Sequence, residues 1–246
     1  MKKIILFYGL LPTLNKIKTR TKIFSNYDRK YYITNYIPDF RNNTVYIYTK
    51  NDEDFIKNKI NEDVRFFDYF ELIELYQRVL PVSYKYLIST SSPDMMMKIH
   101  TCQISLNEIL LWYHFLNNLN LNYYDTYVFL SNSYEIRKGH LPIFDNINCY
   151  TGDIGTAGVP IMNKTYAKKL QSIIINETEK FYSNIPYYDK DSERLKYHLI
   201  EALGLEKEFY ILHKKHNPGH KSNHHNNNFL YHTVYGCEEK LNELLN

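Results

Sequence analysis

Short apolar runs separated by polar turn residues recur along this chain, and each has the length of a buried strand. The runs are KIILFYG from Lys3, TVYIYT from Thr44, VRFFDYF from Val64, TYVFL from Thr126, GVPIM from Gly158 and EFYIL from Glu208. Gly9 at the end of the first run and Pro12 beyond it mark a turn into the basic segment NKIKTRTK. The pattern therefore predicts six strands.

Apolar positions at helical spacing lie between several of these runs. Residues 51–60, NDEDFIKNKI, have an acidic first turn and a basic last turn, which suits a helix dipole. Asn163 is a predicted N-cap for a helix whose apolar face carries Ala167, Leu170, Ile174 and Phe181. A further helix is expected from Ser192 to Leu203, with Gly204 past its end. This alternation predicts an α/β fold with a mixed, largely parallel sheet flanked by helices.

The longest helical pattern extends from Met96 to Leu119 and is apolar on two faces. One stripe holds Cys102, Leu106, Ile109, Tyr113 and Leu116, and the second face holds Leu111, Trp112 and Phe115. A helix that is apolar on two faces is buried. This helix and the TYVFL strand are therefore expected to form the centre of the fold.

Composition and charge narrow the class of protein. The chain of 246 residues shows no composition break or internal repeat, so a single domain over residues 1–246 is expected. Its 30 basic and 27 acidic residues give a net charge of +3, which is too balanced for an electrostatic nucleic-acid binder. A small anionic ligand is compatible with this charge.

The number of cysteines and the hydropathy of the chain indicate the cellular compartment of the protein. The three cysteines are widely spaced, which indicates neither a disulfide scaffold nor a cysteine zinc site. The N-terminal run contains Pro12 and lacks a small-residue cleavage site, so we interpret it as a core strand rather than a signal peptide. No segment approaches the roughly 18 apolar residues that a transmembrane helix needs. A soluble, cytoplasmic protein is expected.

The end of the TYVFL strand is a candidate binding site, because the exits of buried strands commonly present functional groups. The polar residues there are Ser131, Asn132 and Ser133, which include no carboxylate. Their hydroxyl and amide groups can hydrogen-bond a ribose or a phosphate. Equally, the same residues can simply turn the chain.

Four segments in one order resemble glycosyltransferase family 25, which contains lipooligosaccharide and collagen galactosyltransferases. They are NEDVRFFDYF, SLNEILLW, YDTYVFL and TGDIGTAGVPIMNKTYAKKL. The resemblance implies a GT-A-like domain over 1–246 that moves a hexose from a nucleotide sugar to a glycan or protein hydroxyl, with inversion. It also implies a divalent metal, Mn²⁺ or Mg²⁺, held by an acidic triplet, at the place where Ser131, Asn132 and Ser133 stand. The alternative is an inactive protein of this fold with a glycan-binding or structural role.

Carboxylates near the expected cleft are candidates for acid–base and metal chemistry. The resemblance places an acceptor-side acid near YYDKDSERL, which makes Asp189 the first candidate for general base and Asp191 the second. Asp191 also suits helix capping, since Ser192 begins a predicted helix. Glu135 is the first carboxylate after the strand tip and is a candidate ligand of the donor or its metal, with a solvated side chain as the alternative.

Two polar segments supply further candidates for contact with the donor. In GDIGTAG, Gly155 permits close backbone approach to a donor sugar and Asp153 can contact its hydroxyls, although turn geometry alone would also require glycines. The polar loop near 213–228 offers Lys221 to a diphosphate, and His213 and His220 to a metal. A loop with incidental histidines is the open alternative, and a short terminal helix is expected beyond it.

Without a metal, the charge of the departing diphosphate needs another partner, and Lys or Arg can supply it. The cations nearest to the candidate segments in sequence are Arg137, Lys138, Lys214 and Lys221.

Overall fold

The chain folds around one seven-stranded sheet. The computed structural model describes residues 1–9, 14–35, 38–39, 44–45, 54, 57–58, 63–67, 69–88, 106–132, 134–136, 148–151, 159–184, 192–208, 213–214 and 230–232. The strands of the main sheet are β1 (Lys3–Tyr8), β2 (Arg29–Asn35), β5 (Asp63–Phe67), β6 (Thr126–Ser131), β8 (Cys149–Thr151), β9 (Val159–Asn163) and β10 (Glu206–Glu208).

The strand order across this sheet is β10-β8-β9-β6-β1-β2-β5. Neighbouring strands from β6 to β5 are parallel, as are β10 and β8. β9 is antiparallel to both of its neighbours, β6 and β8, so it alone runs against the other six strands. The sheet is therefore mixed and mostly parallel.

Helices flank the sheet. They are α1 (Leu14–Ile23), α2 (Tyr69–Val79), α3 (Pro81–Ile88), α4 (residues 106–117), α5 (Lys164–Asn184) and α6 (Ser192–Leu203). The architecture is α/β, in agreement with the predicted fold class.

Two small sheets accompany the main one. β3 (Pro38–Asp39) and β4 (Thr44–Val45) form an antiparallel pair. β7 (Tyr134–Ile136), β11 (His213–Lys214) and β12 (Leu230–His232) form a sheet in the order β11-β12-β7. Because β7 begins two residues after Asn132, this second sheet stands close to the end of β6.

Alternate residues of β1 pack against different layers, as the pleat of a strand requires. Tyr8 belongs to the large core cluster that includes α4, α5 and α6, and its ring meets Trp112 edge to face at 5.4 Å. Phe7 stacks on Tyr32 at 4.7 Å and contacts Phe24 just beyond α1. β1 is therefore covered on both faces, which explains its uninterrupted apolar sequence.

Most of the elements that were predicted from strongly apolar patterns are confirmed. β1, β5, β6 and β9 lie where the apolar runs predicted strands, and residues 106–117 are helical within the predicted long helix. The Asn163 cap is confirmed, since its side-chain oxygen accepts hydrogen bonds from the backbone N–H groups of Thr165 and Tyr166 at 2.8 and 3.1 Å. The helix from Ser192 to Leu203 is also confirmed, with Gly204 in a left-handed conformation.

The second strand of the main sheet differs from the prediction. It is β2, in RKYYITN, whereas Thr44–Val45 of the predicted run pairs with Pro38–Asp39 outside that sheet. The basic segment after Gly9, expected as a turn region, contributes the helix α1. The predicted terminal helix, most of the 51–60 helix and most of the EFYIL strand lie outside the described residues.

None of the described helices has both the length and the apolarity needed to cross a bilayer.

Candidate functional site

Among the described strands, the order in the main sheet reverses beside β1. From β1 the chain proceeds to β2 and β5 on one side, and it returns to the opposite side of β1 as β6. In open α/β sheets, ligands bind in the crevice beyond the carboxyl ends of the strands at such a point. Here those ends are Tyr8 of β1 and Ser131 of β6, which are paired in register.

Gly9 shapes the chain immediately beyond β1. Its φ of 100° is a conformation that L side chains rarely adopt. A Cβ at this position would lie 3.8 Å from Glu108 Oε1 and 3.9 Å from Ser131 Oγ, which are ordinary contact distances. Gly9 is therefore required by its backbone conformation and not by lack of space.

The two predicted residues Ser131 and Asn132 lie at this point, and both are buried, at 4% and 5% exposure. The backbone N–H of Asn132 donates to the carbonyl of Tyr8 at 2.7 Å, which extends the β1–β6 ladder by one residue. The tip is thus part of the packed structure.

The side chain of Arg20 in α1 donates two hydrogen bonds to Asn132. Its Nη1 donates to Asn132 Oδ1 at 2.5 Å and its Nη2 to the Asn132 carbonyl at 3.3 Å. The guanidinium also lies 4.8 Å from the centre of the Phe7 ring, within the range of a cation–π contact. Arg20 is only 2% exposed, so a full positive charge is fixed beneath the carboxyl ends of β1 and β6.

A second pair of charged groups lies on the other side of Gly9. Glu108 of α4 and Lys196 of α6 form an ion pair, with side chains 10% and 14% exposed. The Lys196 ammonium lies 5.7 Å from the centre of the Tyr8 ring. Burial lowers the pKa of Lys196 to about 7.

We name these five residues, Gly9, Arg20, Glu108, Asn132 and Lys196, the switch-point cluster. It brings together five elements: the end of β1, the end of β6, and helices α1, α4 and α6. Arg20 contributes a permanent positive charge to this cluster. A fixed positive charge at the ends of strands favours an anionic ligand.

The implied divalent metal does not fit the described side chains at the end of β6. Ser131 and Asn132 are neutral, and the oxygen of Asn132 already binds a guanidinium, whose positive charge repels a divalent cation. The carboxylate of Glu108, which lies near Gly9, is paired with Lys196. Among the residues that the structure describes, no group of three or more histidine, cysteine or acidic side chains could hold a metal.

The remaining predicted site residues fall into two groups. Glu135 lies in β7 and His213 in β11, and the register sets both level with Tyr231 of β12, one on each side. The backbone therefore places Glu135 and His213 two strands apart in one small sheet. The others lie outside the described residues: Ser133, Asp153, Gly155, Asp189, Asp191, His220 and Lys221.

Sequence reasoning missed Arg20, Glu108 and Lys196. A signal was present for Glu108, which interrupts the apolar faces of its helix between Asn107 and Ile109. Lys196 likewise stands next to a position of the apolar face of its helix, the buried Leu195. Arg20 gave no signal, because it stands among other basic residues of α1 that the pattern did not identify as a helix.

A surface groove of about 400 Å³ is present elsewhere, along α5 between Ser172 and Ser183. Its described lining comes from that single helix and includes no residue of the switch-point cluster. We give it no role in the candidate site.

Comparison with known proteins adds no assignment, since no family model and no curated protein matches this chain.

Proposed function

We propose that the chain is a GT-A-like glycosyltransferase that moves a hexose, with inversion, from a nucleotide sugar to a hydroxyl of a glycan or protein. The observation that carries the proposal is the switch-point cluster: Arg20, Asn132 and Gly9 meet where the strand order of an α/β sheet reverses. Nucleotide ligands bind α/β sheets at such points. The resemblance of the four sequence segments to glycosyltransferase family 25 supports the reaction class.

Transfer of a sugar from a nucleotide donor sets two chemical demands. The departing diphosphate needs positive charge or hydrogen-bond donors, and the acceptor hydroxyl needs a base. The fixed charge of Arg20 meets the first demand in part. For the second, Asp189 remains the first candidate and Asp191 the second, on the resemblance alone.

One observation favours a second candidate, a protein of this fold without catalytic activity that binds glycans or has a structural role. Ser131 and Asn132 are buried, and Asn132 is held by Arg20, so the tip of β6 serves packing within the protein itself. If catalysis had been lost, the polar residues at the end of β6 would retain only such a packing role.

Isothermal titration calorimetry with a panel of uridine- and guanosine-diphosphate hexoses tests the proposal. We expect one nucleotide sugar to bind, with the free hexose as a control that does not. Absence of binding by every nucleotide sugar, with and without Mn²⁺, would contradict the transferase. Binding without any release of nucleoside diphosphate across a glycan acceptor panel would favour the second candidate.

A further inference from the structure

We propose that Glu108 is the base that takes the proton of the acceptor hydroxyl during sugar transfer, and that Lys196 orients its carboxylate for this step. The inference rests on the proposed function and departs from Asp189 and Asp191, the candidates for that role on the family resemblance. It follows from the position and the contacts of Glu108 at the end of β1.

The location of Glu108 is the first argument. Its Oε1 lies 3.8 Å from the point that a Cβ of residue 9 would occupy, and Ser131 Oγ lies 3.9 Å from the same point. Because residue 9 is a glycine, it has no side chain to cover this oxygen. Gly9 and Ser131 stand at the ends of the two strands beside which the strand order reverses. A ligand in the crevice beyond these strand ends therefore meets the carboxylate of Glu108.

The orientation of the carboxylate is the second argument. Oε2 of Glu108 is buried and forms the ion pair with Lys196. Within the part of the chain that the structure describes, Lys196 is the polar partner of this side chain. Since Oε2 is enclosed against Lys196, Oε1 is the oxygen left to accept a proton. Lys196 is thus a positioning residue, and Glu108 is the group that meets the acceptor.

The chemistry of the step conserves atoms and charge. The acceptor hydroxyl gives its proton to Oε1 of Glu108 while its oxygen bonds to the anomeric carbon of the donor sugar. The bond from that carbon to the diphosphate oxygen breaks on the opposite face, and its electron pair leaves with the nucleoside diphosphate. The proton then passes from Glu108 to solvent, which restores the carboxylate. A positioned general base contributes about 10²–10⁴-fold to the rate of such a step.

The test measures donor affinity and turnover separately, with uridine- and guanosine-diphosphate hexoses as donors and a panel of glycans as acceptors. Glu108→Gln keeps the shape of the side chain but removes its basicity. We expect kcat to fall about 100-fold or more, while the calorimetric Kd of the nucleotide sugar stays within about threefold. Glu74→Gln, which changes an exposed carboxylate of α2, is the matched control and should leave both values unchanged.

The positioning role of Lys196 has its own variants. Lys196→Met removes the group that holds Oε2 and should lower kcat about tenfold or more with donor affinity retained, because the carboxylate loses its fixed orientation. Lys196→Arg keeps a cation at this position and should retain more of the activity. Equal kcat values in the two folded variants would remove Lys196 from the role.

The outcomes separate this inference from the proposed function. Absence of both donor binding and transfer in the wild type would overturn the proposed function, and the inference with it. Wild-type kcat in a folded Glu108→Gln protein would overturn the inference alone, since transfer would then use another base. Circular dichroism shows which variants fold. If Glu108→Gln does not fold, Glu108→Asp decides: it withdraws the carboxylate by one methylene and should lower kcat about tenfold or more, and an unchanged kcat would overturn the inference.

Discussion

Glu108 of α4 and Lys196 of α6 form an ion pair near Gly9, although 88 positions separate them in the sequence. The pair joins two helices that pack on the same side of β1, and it places a carboxylate beside the carboxyl end of that strand. Its partial burial makes each charge dependent on the other.

Loss of one partner of this pair should destabilise the fold. Lys196→Met leaves the carboxylate of Glu108 buried without its cation, and we expect a loss of about 3–5 kcal/mol in the free energy of unfolding. The double change Glu108→Leu with Lys196→Met removes both charges and should recover most of it. Urea unfolding monitored by circular dichroism measures these values.

Lys180→Met is the matched control for that series. Lys180 pairs with Glu177 on the surface and its side chain is 63% exposed, so its loss should cost less than about 1 kcal/mol. Equal losses of unfolding free energy in Lys196→Met and Lys180→Met would show that the buried pair contributes no more to stability than the surface pair.

Gly9→Ala should destabilise the protein because residue 9 has a backbone conformation that alanine adopts only with strain. The φ of 100° is strained for any L residue, and the expected cost is about 2 kcal/mol. Gly204→Ala is the comparison, because Gly204 has a φ of 73° and open space around a Cβ, for an expected cost of about 1 kcal/mol. A smaller effect at Gly9 than at Gly204, measured by urea unfolding, would argue against this account of the strand end.

His114 should make stability fall under mildly acidic conditions. Burial first, and the positive charge of Arg65 second, lower the pKa of His114 from 6.5 to about 4, while Glu71 acts in the opposite direction. Between these values the unfolded chain binds a proton that the folded chain does not. The stabilising contribution is therefore complete above pH 6.5 and is lost as the pH falls towards 4.

The variant His114→Gln removes this titration. Its free energy of unfolding should change less between pH 7 and pH 5 than that of the wild type, measured in urea at each pH. An NMR titration should find the His114 ring still uncharged at pH 5. A normal titration near pH 6.5 would show that the ring is not protected by its packing on Phe67.

Glu179 of α5 caps the start of α3. Its carboxylate accepts hydrogen bonds from the backbone N–H groups of Val82 and Ser83 at 2.8 and 3.2 Å and from the Ser83 hydroxyl at 2.8 Å. We expect Glu179→Ala to cost about 1–2 kcal/mol, since three donors lose a charged acceptor. Glu74→Ala on the exposed face of α2 should change stability by less than about 0.5 kcal/mol. Equal thermal midpoints for the two variants would contradict the capping role.

The apolar pattern predicted strands and helices where burial on one or two faces dictates the residue type. β6 is fully buried and its apolar run was unmistakable, and the Asn163 cap is a local signal that needs no tertiary context. β2 escaped prediction because Arg29 and Lys30 begin it and Asn35 ends it, although Tyr32 and Ile33 inside it are buried. Its position between two parallel strands, and not its composition, makes it a strand.

The candidate site could be predicted only at the tip of β6. Ser131 and Asn132 follow a recognisable strand, so their position at its end was visible in the sequence. Arg20 lies 112 positions from Asn132, and no local pattern links the two. Such a contact between distant residues depends on the order of strands in the sheet, which single-sequence periodicity does not encode.

The most direct test of the central claim is a crystal structure of the protein soaked with uridine or guanosine diphosphate. The claim is that the crevice beyond the carboxyl ends of β1 and β6 is the donor site. It predicts a diphosphate beside Gly9, on the side of the switch-point cluster. A nucleotide bound elsewhere, for example in the groove along α5, or a crevice that excludes the nucleotide, would contradict it.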